Sequence, residues 1–170
     1  ISTITDYNFP KKLFETINIL KKENKAVKLI HLSKISLDEQ IIKKYDFKHI
    51  YQNKYINNYN DYINELHQLD VVINILFGEI AQFSGSNKTI DCIVSNTPII
   101  VINSKSYKFI LGDKYPLFVN SEDEIYSIIK KIFNNNDNII EKTRNELINL
   151  SRNYNNKILA KYKNNVFKSN

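Results

Sequence analysis

Lys88 and Asp91 are the residues whose types and spacing best suit chemistry on a ligand. Three positions apart, they share a face if their segment is helical. An ammonium can hold a phosphate, and a carboxylate can accept hydrogen bonds from sugar hydroxyls. Together they suit a nucleoside diphosphate. The same spacing also makes an ordinary surface ion pair, which is common and contributes little. The preceding residues favour the ligand. Residues 77–87 hold Gly78 and Gly85, two of the three glycines in the chain, together with Ser84 and Ser86. They run directly into the Lys88 segment. Free N–H groups and the dipole at a helix start favour an anion there. Neither G-x-G-x-x-G nor G-x-x-x-x-G-K-[ST] occurs, which disfavours ordinary dinucleotide and P-loop sites.

Other reactive residue types carry less. His31, His49 and His67 have no metal-ligand spacing and read as structural or surface groups. Cys92 is the only cysteine, which excludes an internal disulfide and reads as a small core residue. No metal site is expected. The net charge of +6 suits an anionic ligand without requiring one.

The elements that must position this pair alternate along the chain. Residues 1–5 (ISTIT), 26–33, 47–51, 71–76, 98–102 and 117–119 read as strands. VVINIL and PIIVI are continuous apolar runs, as expected of parallel strands buried on both faces. Helices are expected over residues 11–24, 37–45, 59–69, 87–96 and 121–132, with a long one from Ile139. Ser121 and Glu124 read as a capping box. The expected fold class is α/β: a Rossmann-like, doubly wound parallel sheet of about six strands, with helices on both faces and a long C-terminal helix. The 170 residues fit one domain. In such sheets ligands bind beyond the carboxyl ends of the strands, here the loops at residues 6–10, 52–56, 77–87 and 103–107. No apolar run reaches the roughly 20 residues that span a bilayer. The chain has no methionine, so a processed chain or a piece of a longer protein is expected.

The stretch DVVINILFGEIAQFSGSNKTIDCIVSNTPIIV resembles a core signature of the GT-B glycosyltransferases, in particular their large retaining group. An Asp-led strand from Asp70 is followed by a loop with Gly and Ser, a Lys-x-x-Asp helix, a small-residue turn, then Pro98 and a β-branched strand. The order of elements resembles the C-terminal, nucleotide-sugar-binding half of those enzymes. The resemblance implies that Asp91 binds the donor ribose and that Asn87 and Lys88, helped by Lys11, hold the diphosphate. It implies that Gly78, Glu79, Ser84, Gly85 and Ser86 face the transferred sugar, and that the base lies near Gln52 and Asn53. Asn96 replaces the usual turn glycine and can still adopt a left-handed conformation.

The implied activity is sugar transfer from a nucleotide donor to a glycan or lipid-linked acceptor, with no cofactor or metal. A missing N-terminal domain would recognise the acceptor, and this domain alone would be inactive. A cytoplasmic location follows, with peripheral association of the whole protein at the inner face of the membrane. A nucleotide-sugar epimerase of the same architecture is the second enzyme reading. A basic nucleic-acid or anion-binding module is the third; it predicts a contiguous Lys/Arg stripe, whereas the lysines here are scattered over every element. No nucleic-acid partner is therefore expected.

Overall fold

The computed structural model describes residues 11–23, 25–75, 87–134 and 138–155. Among these, α1 (Lys11–Lys22), α2 (Glu39–Lys44), α3 (Tyr59–His67), α4 (Asn87–Val94), α5 (Lys105–Leu111), α6 (Glu122–Phe133) and α7 (Ile139–Asn155) alternate with five short strands. The strands are β1 (Leu29–Leu32), β2 (Tyr51–Lys54), β3 (Val72–Asn74), β4 (Ile99–Ile102) and β5 (Phe118–Val119). The fold is mixed α/β, and every strand pairing described is parallel.

Apolar spacing accounts for the longer helices. Leu13, Phe14, Ile17 and Leu20 fall on one stripe of α1, and Ile125, Ile128 and Ile129 on one stripe of α6. Both stripes are buried, and α1 packs on α6. Local polar groups set the helix ends. The Asn58 side chain accepts from Asn60 N–H at 2.8 Å and Asp61 N–H at 3.2 Å at the start of α3. At α6 the expected capping box is displaced by one residue. Ser121 makes no side-chain cap bond, and the Glu124 carboxylate instead accepts from Asn120 N–H at 2.7 Å.

Two helices end in the same left-handed motif. After α4, Asn96 N–H donates to Ile93 O at 3.2 Å and Thr97 N–H to Cys92 O at 2.8 Å, with Asn96 at φ 54°. After α2, Asp46 N–H and Phe47 N–H reach back to Lys43 O and Ile42 O, with Asp46 at φ 51°. These crossed bonds satisfy the last carbonyls of each helix. Asn96 takes the left-handed conformation expected of it, but its Oδ1 is buried without a hydrogen-bond partner. Asn96→Gly removes both the left-handed penalty and the buried acceptor. It is expected to raise stability by about 1 kcal/mol in urea unfolding, against a smaller loss from added backbone freedom in the unfolded chain. Equal or lower stability would mean that the Asn96 amide contributes to the turn.

Of the expected sheet of about six strands, the described residues show five, in two hydrogen-bonded groups. One holds β1 and β2; the other has the order β3-β4-β5. The first expected strand, residues 1–5, lies outside the described residues. The strand expected at residues 47–51 is Tyr51–Lys54 instead, because Phe47 completes the α2 terminus and residues 47–51 form a helical turn. Ile50 N–H and Tyr51 N–H both donate to Phe47 O, at 3.0 and 2.8 Å. The loop expected at residues 103–107 is mostly helix: the Ser104 side chain caps α5, which ends at Gly112 with φ 88°.

β4 is the centre of its group. Its Val72-facing side pairs with β3, and Val101 and Asn103 pair toward β5. β5 is only two residues long, so it does not reach Ile99. There the Tyr115 hydroxyl takes the place of a strand. It accepts from Ile99 N–H and donates to Ile99 O, each at 2.9 Å, and the ring is 4% exposed.

The expected long C-terminal helix is α7. It packs along α4, with Leu147 and Thr143 fully buried. Arg144 fastens it by donating to Leu69 O at 2.8 Å and Asn96 O at 3.4 Å, the carbonyls left open just beyond α3 and α4.

Candidate functional site

α4 follows β3 and carries the Lys88 and Asp91 pair on its first turns. Asn87 is exposed at its first position, while Thr89, Cys92 and Ile93 face the core. That stripe leaves Lys88 and Asp91 half-buried beside it. They do not form the ordinary ion pair that their spacing allows. Asp91 Oδ1 instead accepts a hydrogen bond from the Tyr59 hydroxyl at 2.9 Å. Tyr59 opens α3, which packs on α4. Tyr62 lies one turn on, its ring 6.4 Å from that of Tyr59. The Tyr62 hydroxyl is buried and has no hydrogen-bond partner.

Burial governs the charges in this group. It pushes the Asp91 carboxyl above its usual range, against the Tyr59 hydrogen bond and the nearby Lys88 charge, which pull it down. It holds the Lys88 ammonium below its usual range, against the neighbouring Cys92 and Asp91. Tyr59 is pushed up to about 12, first by burial and then by Asp91. Burial also raises Tyr62. The fold thus keeps a cation and an anion partly out of water on neighbouring turns of one helix, where burial disfavours the charged form of each.

Lys88 also lines a cavity of about 700 Å³ that separates β1 from β3. Leu13, Ile17, Leu20, Leu66 and Ile129 supply apolar walls, and His31, Asp70 and the Lys54–Glu65 ion pair, at 2.5 Å, supply polar ones.

The other expected site residues are spread out. Lys11 stands at the exposed start of α1, 3.5 Å from Glu15. Gln52 and Asn53 are exposed, and they belong to strand β2 rather than to the loop expected there. Asn53 donates to Ser33 O at 3.3 Å. Gly78, Glu79, Ser84, Gly85 and Ser86 lie outside the described residues. Cys92 is buried in the core, and burial raises its thiol, as suits a packing residue. His31 Nδ1 lies 3.1 Å from the Tyr51 hydroxyl, and His67 Nδ1 donates to Ser95 O at 2.8 Å, both structural roles. Among the described residues no group of His, Cys, Asp and Glu is placed to hold a metal ion, and no helix is long and apolar enough to cross a membrane.

Sequence reasoning missed Tyr59 and Tyr62 as members of this group. Their i,i+3 spacing reads as the apolar stripe of α3, and nothing local links them to a carboxylate 32 residues away. No protein-family model and no curated protein matches this chain.

Proposed function

We propose that this chain is the donor-binding domain of a GT-B glycosyltransferase, built on a single doubly wound parallel sheet. It would bind a nucleotide-diphosphate sugar for transfer to a glycan or lipid-linked acceptor. The observation that carries the reading is that Lys88 and Asp91 stand half-buried side by side on the helix after β3, with the Asp91 carboxylate held by the Tyr59 hydroxyl. Lys88 and the N–H groups at the start of α4 suit a diphosphate. Asp91, with one oxygen held by Tyr59, suits a ribose hydroxyl. Parallel pairing throughout supports the doubly wound sheet, whose ligands bind at the carboxyl ends of strands. In transfer, the Lys88 charge would stabilise the leaving diphosphate as the sugar bond breaks. An N-terminal domain would supply the acceptor site.

The test is calorimetric titration with UDP, GDP, ADP and CMP, without added metal, of the parent chain and of Lys88→Met and Asp91→Asn. One nucleoside diphosphate is expected to bind selectively. Each variant is expected to weaken it by roughly 10- to 100-fold, the loss of one charge-assisted hydrogen bond. Asp91→Asn is not expected to lose stability. The Asp91 carboxyl, raised from 3.8, lowers stability once pH has risen through its folded pKa and has no effect below its unfolded value. At neutral pH Asp91→Asn should therefore unfold at the parent temperature or above it, and that gain should vanish in acid. Equal nucleotide affinity in all three proteins would sink the reading. So would salt-sensitive binding of RNA or DNA in place of nucleotides.

A further inference from the structure

Tyr107 and Tyr115 are buried, whereas Tyr59 is 56% exposed at the first position of α3. Its hydroxyl nevertheless reaches across to α4 and donates to Asp91 Oδ1 at 2.9 Å. A bond this open to water adds little to the docking of two helices. α3 and α4 already share the core through Leu66, Cys92 and Ile93. What the bond does fix is the chemistry at its own end. The Tyr59 proton is committed to the carboxylate, and the phenol, pushed up to about 12, keeps that proton at neutral pH. A neutral phenol whose proton is engaged can only accept a further hydrogen bond. Asp91 Oδ2 takes no part in the bond, and an ionised carboxylate also only accepts. Two acceptor-only oxygens, one from each helix, therefore stand together one turn along α4 from the Lys88 charge. The Tyr62 ring lies 6.4 Å from that of Tyr59, and Asp91 holds the hydroxyl end, so the phenol oxygen is preorganised.

We propose that Tyr59 and Asp91 form a clamp for a vicinal diol, so that this site takes ribonucleotides and rejects their deoxy counterparts. One hydroxyl donates to Asp91 Oδ2 and its neighbour to the Tyr59 oxygen. A vicinal diol carries two donors one carbon–carbon bond apart, which suits two acceptors joined by a single hydrogen bond. A deoxyribose lacks one of those donors and leaves an acceptor facing carbon, which costs affinity because Asp91 is half-buried. A phosphate in the same place would meet two acceptors and no donor, so the anion is confined to the Lys88 side. Tyr59 is thus a specificity-determining residue that also positions Asp91, since its bond decides which carboxylate oxygen meets the sugar. The assignment rests on the donor-domain reading, because it needs a nucleotide in the site.

The test is calorimetric titration of the full 170-residue chain and of Tyr59→Phe with UDP, GDP and ADP, each beside its 2′-deoxy and 3′-deoxy counterparts. Inorganic pyrophosphate is the reference, because it lacks the sugar. In the parent chain both deoxy forms of the best nucleotide are expected to bind about 10-fold more weakly than the ribonucleotide, the loss of one hydrogen bond. In Tyr59→Phe one of these two preferences should fall to about twofold or less, while the other survives and pyrophosphate binding is unchanged. The variant keeps its exposed ring, and a thermal melt checks that it folds; if it does not, the two preferences of the parent chain decide alone. Both preferences surviving in Tyr59→Phe would overturn the clamp, even if every affinity fell, since a bond that only supports α4 lowers them together. Equal binding of ribose and deoxyribose forms by the parent chain would overturn the clamp and leave the donor-domain reading standing. Failure of every nucleoside diphosphate to bind would overturn that reading and the clamp with it.

Discussion

Replacing Tyr115 with phenylalanine is expected to destabilise the domain by about 2–4 kcal/mol, more than most single hydroxyl deletions. The ring would stay, with its edge-on packing against Phe118 at 5.4 Å. Only the oxygen is lost, but that oxygen bonds both the N–H and the C=O of Ile99. Both peptide groups would be left buried and unpaired, each costing about 1–3 kcal/mol. Tyr126→Phe is the control. Its hydroxyl accepts from Lys130 one turn along a helix, and its loss should change stability by less than about 0.5 kcal/mol. Urea unfolding at unchanged slope measures both. A Tyr115→Phe midpoint equal to the parent's would mean that water reaches Ile99, so that the phenol does not stand in for a strand.

Leu147→Ala is expected to cost about 3–5 kcal/mol, because the side chain is fully buried and its neighbours cannot all collapse into the space. The effect should reach beyond one cavity. Leu147 lies on α7, which packs along α4, and one turn back Arg144 ties it to Leu69 O and Asn96 O. Arg144→Met should cost about 1.5–3 kcal/mol, since it leaves those carbonyls without their charged donor. In a double-mutant cycle the two losses should sum to more than the combined variant shows, as expected of groups that fasten the same helix. A Leu147→Ala loss below about 1 kcal/mol would show that α7 is not docked in solution.

These two sites differ in how far the sequence discloses them. The Ile125, Ile128 and Ile129 stripe of α6 and the apolar runs behind β3 and β4 are periodic, and burial follows that period closely. The left-handed Asn96 was legible because asparagine tolerates that conformation before a proline-led strand. α5 was not, since seven residues with two lysines resemble a polar loop until Tyr107 and Leu111 are seen to be buried one turn apart. β2 was misplaced because Phe47 is apolar for the sake of the α2 terminus rather than a strand. Lys88 and Asp91 could be found from spacing. Their environment could not, because Tyr59 and the cavity wall arrive through tertiary packing across tens of residues. Tyr115 likewise carries no local mark of its bond to Ile99.

β2 and β5 have a consequence for how the protein behaves in a crowded solution. β2 ends one hydrogen-bonded group with four residues, and its middle presents exposed Gln52 and Asn53. β5 ends the other with two residues. Where β5 falls short, Tyr115 already occupies the peptide groups of Ile99. Short, polar or occupied margins give a foreign strand little to zip onto, so they oppose edge-to-edge aggregation. Tyr115→Phe would open one such margin, and the variant should precipitate at concentrations that the parent chain tolerates.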